Sequence, residues 1–186
     1  MAYKKSLVAR VKRVEAKVAR SKPEVKTYTT QVGDISTVPT STLEYVDLNG
    51  IVQGTDNGER LGNKIRVLKI ECRGTASPRL GVFLLKSKLS TPPAATDFTG
   101  EYGSVLLGNL LGNVYVELVS VAVKGLSYLD NGVVRFSRSF KGGMPVSFED
   151  GTTGSCSHNN LYVCLVNKGV SAVHGLLTVR VWYTDC

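Results

Sequence analysis

Nine of the first 26 residues are cations: Lys4, Lys5, Arg10, Lys12, Arg13, Lys17, Arg20, Lys22 and Lys26. Glu15 and Glu24 are the acids among them, which leaves this segment at +7. Residues 27–186 hold 14 basic and 13 acidic residues, a net +1. Almost all of the chain's +8 therefore sits in a short N-terminal arm. Cations at that density approach the charge spacing of a phosphate backbone, so the chemistry they offer is polyanion binding. Lys4, Lys5, Arg10, Lys12, Arg13, Lys17, Arg20 and Lys22 are the expected phosphate contacts. A solubilising or nuclear-localisation tail is the plainer use of the same residues.

Nothing else in the chain forms a reactive set. The sequence has no G-x-S-x-G, no H-E-x-x-H, no P-loop and no glycine-rich turn feeding a helix. Two histidines and no paired carboxylates leave general acid–base chemistry few candidates. Glu149-Asp150 reads as a turn. Cys72, Cys156, Cys164 and Cys186 are scattered, without a C-x-x-C pair or zinc spacing. His158 follows Cys156 by two positions with no third ligand near, and His174 stands alone among Gly, Val and Ala. These read as structural thiols and surface imidazoles. No enzyme, no cofactor and no small-molecule substrate are expected.

The elements that must carry the arm divide at residue 26. Within it, Leu7, Val11, Val14 and Val18 recur at helical spacing, and Arg10, Arg13, Lys17 and Arg20 fall on another face. A helix over 4–20 is expected, ended by Lys22-Pro23. Its apolar stripe, mostly Val and without aromatics, is a poor membrane anchor. No run of about 18 apolar residues occurs, and the first residues lack the apolar stretch of a secretory signal. From residue 27 the chain turns into β-rich runs: 27–37, 42–48, 64–75, 80–88, 114–124, 133–140, 161–167 and 176–184. Turn signals separate them, among them Asn49-Gly50, Asn131-Gly132 and Gly142-Gly143. In 64–75 strict alternation sends Arg66, Leu68, Ile70 and Cys72 to one face, and Ile65, Val67, Lys69, Glu71 and Arg73 to the other. Residues 97–111 read as a further short helix interrupted by glycines. Leu106, Leu107, Leu110, Leu111 and Val114 crowd that segment and read either as core or as a contact with a neighbouring subunit. Eight strands in about 160 residues imply an all-β sandwich or barrel spanning 27–186, behind an arm of residues 1–26.

Residues 48–76 carry a more specific signal: Asn49-Gly50-Ile51, Gln53-Gly54, Asp56, Arg60, Gly62, Arg66 and Arg73-Gly74-Thr75-Ala76. This block resembles the segment opening the jelly roll in coat proteins of small satellite plant viruses, the satellite of tobacco necrosis virus in particular. Tyr183-Thr184-Asp185 resembles that family's C-terminus. Capsid proteins of small circular single-stranded DNA viruses are similar as well, in the entry to the 64–75 strand. The resemblance implies one eight-stranded jelly roll, sheets BIDG and CHEF, with the basic arm inside the particle. It further implies a homo-oligomer of 60 subunits in a T=1 icosahedral shell enclosing a viral single-stranded RNA or DNA. The protein would then be found in the virion, and in host cytoplasm or nucleus during assembly, with no membrane partner. Finally, it implies a possible structural Ca²⁺ site made by the Asp185 carboxylate with the backbone carbonyls of Leu61 and Lys64.

The competing class is a cellular nucleic-acid-binding β-barrel. Such modules interleave aromatic and basic residues on one sheet face so that bases can stack. The body's sequence shows no such signature on inspection, since its basic excess lies in the arm. A lectin-like jelly roll leaves the arm without a purpose.

Overall fold

The computed structural model describes residues 10–13, 23–33, 42–56, 58–78, 80–88, 92–99, 105–108, 110–123, 131–149, 156–167 and 172–186. Its strands in chain order are β1 (Lys26–Val32), β2 (Thr42–Asp47), β3 (Lys64–Ala76), β4 (Gly81–Ser87), β5 (Phe98–Thr99), β6 (Val105–Leu106), β7 (Tyr115–Ala122), β8 (Gly132–Phe148), β9 (Cys156–His158), β10 (Asn160–Asn167) and β11 (Gly175–Asp185). They form a five-stranded sheet ordered β1-β11-β3-β8-β9 and a four-stranded sheet ordered β2-β10-β4-β7, with β5 and β6 as a small ribbon. All of these pairings are antiparallel. The chain is mostly β, as its run of β-branched segments implies.

The two sheets meet over one apolar core. Ile65, Val67, Ile70 and Cys72 of β3 and Val179 and Val181 of β11 face Val82 and Leu84 of β4 and Leu161, Val163 and Leu165 of β10. The outer faces differ. In β10 every residue of Asn-Leu-Tyr-Val-Cys-Leu-Val-Asn is buried, and β4 is buried at all but Lys86. Such continuous apolar strands are covered on both sides. On the outer side, Phe83, Leu85, Tyr162, Cys164 and Val166 form a second cluster with Phe98 and Tyr115. The segment between β4 and β7 supplies that cover. The Tyr115 hydroxyl ties it down by donating to the Pro92 carbonyl at 3.1 Å. β11 alternates buried with exposed or half-buried positions from Gly175 to Trp182, the pattern of a strand with one wet face.

Several expectations require correction. The strict alternation in β3 fails at Leu68, where the pairing with β8 slips between Val67 and Lys69. One extra residue there resets the phase, so Ile65 and Val67 join Ile70 and Cys72 in the core rather than opposing them. Opposite the slip, β8 makes a wide detour: Ser139 pairs with Lys69 and Met144 with Val67. Gly142 and Gly143 sit in that detour at φ 79° and 76°, so they bend a strand and do not end one. The strand read as 133–140 accordingly runs on to Phe148. Residues 95–97 form a single 3-10 turn, and β5 and β6 occupy part of the span read as a helix. Leu110 and Val114 pack on the second cluster of their own chain, whereas Leu111 remains 47% exposed. The 48–76 block does not open the sandwich, because β1 and β2 precede it.

Candidate nucleic-acid interface

Residues 10–13 form a helical turn with Arg10, Lys12 and Arg13 exposed. Lys4, Lys5, Lys17, Arg20 and Lys22 lie outside the described residues, as does the remainder of the helix expected over 4–20. Lys26 belongs to a different setting. It is the first residue of β1, with its side chain 6% exposed, and its ammonium lies 3.0 Å from Asp185 Oδ2. The same Nζ donates to the Glu59 carbonyl at 2.7 Å. Its charge is spent inside the sandwich, leaving eight cations to the arm.

The body itself carries a cationic surface that the sequence reading missed. The outer face of the five-stranded sheet follows from its register. One row across the strands reads Gln31, Thr178, Arg73, Arg135; the next reads Thr29, Arg180, Glu71, Ser137; the third reads Thr27, Trp182, Lys69, Ser139. Four cations face one carboxylate over these rows, a net +3. Arg73, Arg135 and Arg180 are exposed, and the intervening Ile70, Cys72, Val134, Val179 and Val181 are buried. Trp182 lies half-buried in the sheet surface, with Lys69 Nζ 4.8 Å and the Arg180 guanidinium carbon 5.8 Å from its ring centroid. Arg73 Nε donates to Glu71 Oε1 at 2.9 Å. That hydrogen bond, followed by the nearby charges of Arg73, Lys69 and Arg135, holds the Glu71 carboxyl below the usual glutamate range. Beside it a depression of about 280 Å³ is lined by Glu71, Arg73, Gly74, Thr178 and Arg180.

The signal for this face was present at period two. Lys69-x-Glu71-x-Arg73 and Thr178-x-Arg180-x-Trp182 are the polar halves of two alternating strands. Only the register, however, puts residues more than 100 positions apart side by side.

At the other end of the sheet, Asp185 does meet the turn that the family resemblance pointed to, in an arrangement that does not suit Ca²⁺. Its Oδ1 accepts from the Leu61 backbone N–H at 2.9 Å, and its Oδ2 pairs with Lys26. The Leu61 carbonyl accepts from Gln53 Nε2 at 3.2 Å, and the Lys64 carbonyl accepts from the Cys186 N–H at 3.2 Å. A hard cation needs those oxygens together and free of a competing ammonium. Here Lys26 is the cation. No group of three or more His, Cys, Asp or Glu side chains comes together among the described residues.

The remaining motif residues have structural work. Arg60 is fully buried, with its guanidinium 3.9 Å from the Phe148 ring centroid. It donates to the Ile51 carbonyl at 3.0 Å and the Gly62 carbonyl at 2.7 Å. Asn49 donates from Nδ2 to Asn160 Oδ1, and its backbone N–H donates to Asp47 Oδ1 at 2.8 Å. The block thus closes the loop between β2 and β3. His158 is exposed beside Ser157, and His174 Nε2 lies 3.0 Å from Thr75 Oγ1. Cys72, Cys156 and Cys164 are buried free thiols, whereas Cys186 is exposed.

No protein-family model matches this chain, and no curated protein matches it. Among solved structures it is similar to one described as the structure of infectious bursal disease virus Gt strain, at 12% identity and a TM-score of 0.22. That match takes in 88% of this chain and 36% of the other, so the chain spans about a third of that protein's length.

Proposed function

We propose that this chain is a capsid subunit: an eight-stranded jelly roll that assembles into a T=1 shell and packages a single-stranded genome through its N-terminal arm. The observation that carries the reading is the strand order. Leaving aside β5, β6 and β9, the remaining strands fall into sheets β1-β11-β3-β8 and β2-β10-β4-β7. Lettered B to I in chain order, these are BIDG and CHEF, the two sheets that a jelly roll comprises. The cationic arm leads directly into β1, the B strand, as a subunit that holds its cargo by a tail requires. On this reading the protein is structural and not an enzyme, it belongs to the virion, and its partners are its own copies and a nucleic acid. Sixty arms carrying the eight cations and two acids of residues 1–25 supply roughly 360 positive charges, which suits a genome on the order of a thousand nucleotides with small cations balancing the rest.

A second reading, a cellular binding module, is favoured by one observation: the basic face around Trp182, which interleaves an aromatic with cations as such modules do. Particle size separates the two. The full chain expressed alone is expected as particles of about 1.2 MDa, sixty copies of 20.1 kDa, enclosing nuclease-protected nucleic acid. Deleting residues 2–22 should abolish most of their cargo binding while leaving the β body folded. A protein that elutes only as monomer or dimer at every salt and concentration would overturn the capsid reading.

A further inference from the structure

The two outer sheet faces are not equivalent. That of the four-stranded sheet is roofed by the β4–β7 segment and its aromatic cluster. That of the five-stranded sheet is exposed at Arg73, Arg135, Thr178 and Arg180. A protein gains nothing for its own stability by setting four cations on one sheet face, two of them beside an indole, with a single carboxylate among them. Exposed pairs of this kind contribute little, and like charges repel. The arrangement is explained by a partner that brings both negative charge and a flat aromatic surface.

We propose that the outer face of the five-stranded sheet is a second nucleic-acid site, separate from the arm, that binds a single strand by stacking a base on Trp182 while Lys69, Arg73, Arg135 and Arg180 take the neighbouring phosphates. Stacking selects a single strand, because a duplex keeps its base faces covered and offers this flat surface only phosphates. Lys69 and Arg180 hold positions near the indole that a base would take. On binding, each exchanges a cation–π contact for a phosphate. Lys69 and Arg73 stand four residues apart on β3, about 13 Å, and so straddle the row that carries Arg180. Arg73 and Arg180 line the depression and offer their guanidinium groups to a phosphate there, while Glu71, also in its lining, keeps the Arg73 fork oriented. Stacking and charge are common to RNA and DNA, so the site takes either. It is a property of the body and does not depend on shell formation.

Trp182 is the chain's one tryptophan, so its emission reports this face alone. The test titrates the full chain, stripped of nucleic acid and dilute enough to be subunits, with oligo(dT), oligo(rU) and heparin. A labelled oligonucleotide follows total binding in parallel. The expected result is saturable quenching by one or both oligonucleotides, their ratio showing which sugar the face prefers, and none by heparin, which has charge but no bases. The exposed double variant Arg73→Glu/Arg180→Glu should weaken the quenching titration about tenfold or more and lower its salt slope by about two. Deleting residues 2–22 should leave the quenching amplitude in place. Unchanged emission while the labelled oligonucleotide binds would assign all binding to the arm and overturn the proposal. Equal quenching by heparin would overturn the stacking. Emission that changes only when subunits associate would make the face a protein interface instead. Particle size, measured separately, decides the capsid reading, so the two fail independently.

Discussion

Replacing Lys26 with Met should destabilise the protein more than any single change in the arm before it. The Lys26 and Asp185 side chains are 6% and 19% exposed, and their charged atoms lie 3.0 Å apart. Removing one partner of a buried pair costs about 3–5 kcal/mol, because the remaining charge stays out of water. Asp185 retains some solvent and the Leu61 N–H, so the cost here falls near 2 kcal/mol. Loss of the Nζ donor to the Glu59 carbonyl is included in that figure. For a chain of this length, 2 kcal/mol corresponds to a drop of about 4–8 °C in melting temperature. Asp185→Asn alone should cost a similar amount, since it strands the ammonium. The double variant should recover much of the loss, because no unpaired charge is left and the Asn carbonyl still accepts from Leu61. Melting the four proteins at one fixed concentration gives the coupling directly. Strictly additive losses, or a Lys26→Met protein that melts with wild type, would refute the pairing. The same cycle addresses calcium. With Lys26 in place Ca²⁺ should not move the wild-type transition, whereas a Ca²⁺-dependent rise lost in Asp185→Asn would show that an ion, not the lysine, is the counter-charge.

Two further outcomes follow from buried groups. Burial raises the Asp47 carboxyl above its ordinary 3.8, with hydrogen bonds from Asn160 and Asn49 opposing the shift. A raised folded-state value means that the folded protein holds the proton more tightly, so the stabilisation is complete below 3.8 and is lost as pH rises through the raised value. The stability margin of wild type over Asp47→Ala, read from urea melts, should therefore be larger at about pH 4 than at about pH 7; a margin that grows with pH would contradict it. Burial pushes the Cys72 thiol up to about 12 and Cys156 to about 11, and raises Cys164 as well. A disulfide reagent should accordingly titrate Cys186 quickly in the native protein and all four thiols only after unfolding.

The strands were legible because their chemistry is local. β-branched residues alternate with polar ones in β11, and unbroken apolar runs mark β4 and β10 as strands buried on both sides. Irregularities were not legible, since each is decided by a pairing partner. Leu68 looks like any alternating apolar residue until β8 slips past it, and Gly142-Gly143 reads as a turn until Met144 is found opposite Val67. Lys26 was read as the last cation of an arm because charge counting is blind to burial. Its position two residues before Tyr28, at the start of a Thr- and Tyr-rich run, was the only hint that it opens a strand. The cationic face was lost for the same reason as the bulges. Lys69, Arg73, Arg135 and Arg180 are unremarkable one by one, and their gathering on the sheet face that carries Trp182 exists only through the β3–β8 and β3–β11 registers.

Those registers also fix how arm and face are placed relative to each other. β1 is an edge strand, and Thr27 pairs with Trp182, so residues 23–25 leave the sheet beside the indole row. If the arm engages a polyanion as proposed, it holds that polyanion near the face at high effective concentration without any new contact. The face can then be weak alone and still be occupied in the full chain, because the arm has already met most of the cost of bringing the two together. The covered sheet meets none of these conditions. Its outer surface is spent on Phe83, Phe98, Tyr115 and Tyr162, an apolar cluster within the chain itself. One side of the sandwich is thus built for self-burial and the other for charge.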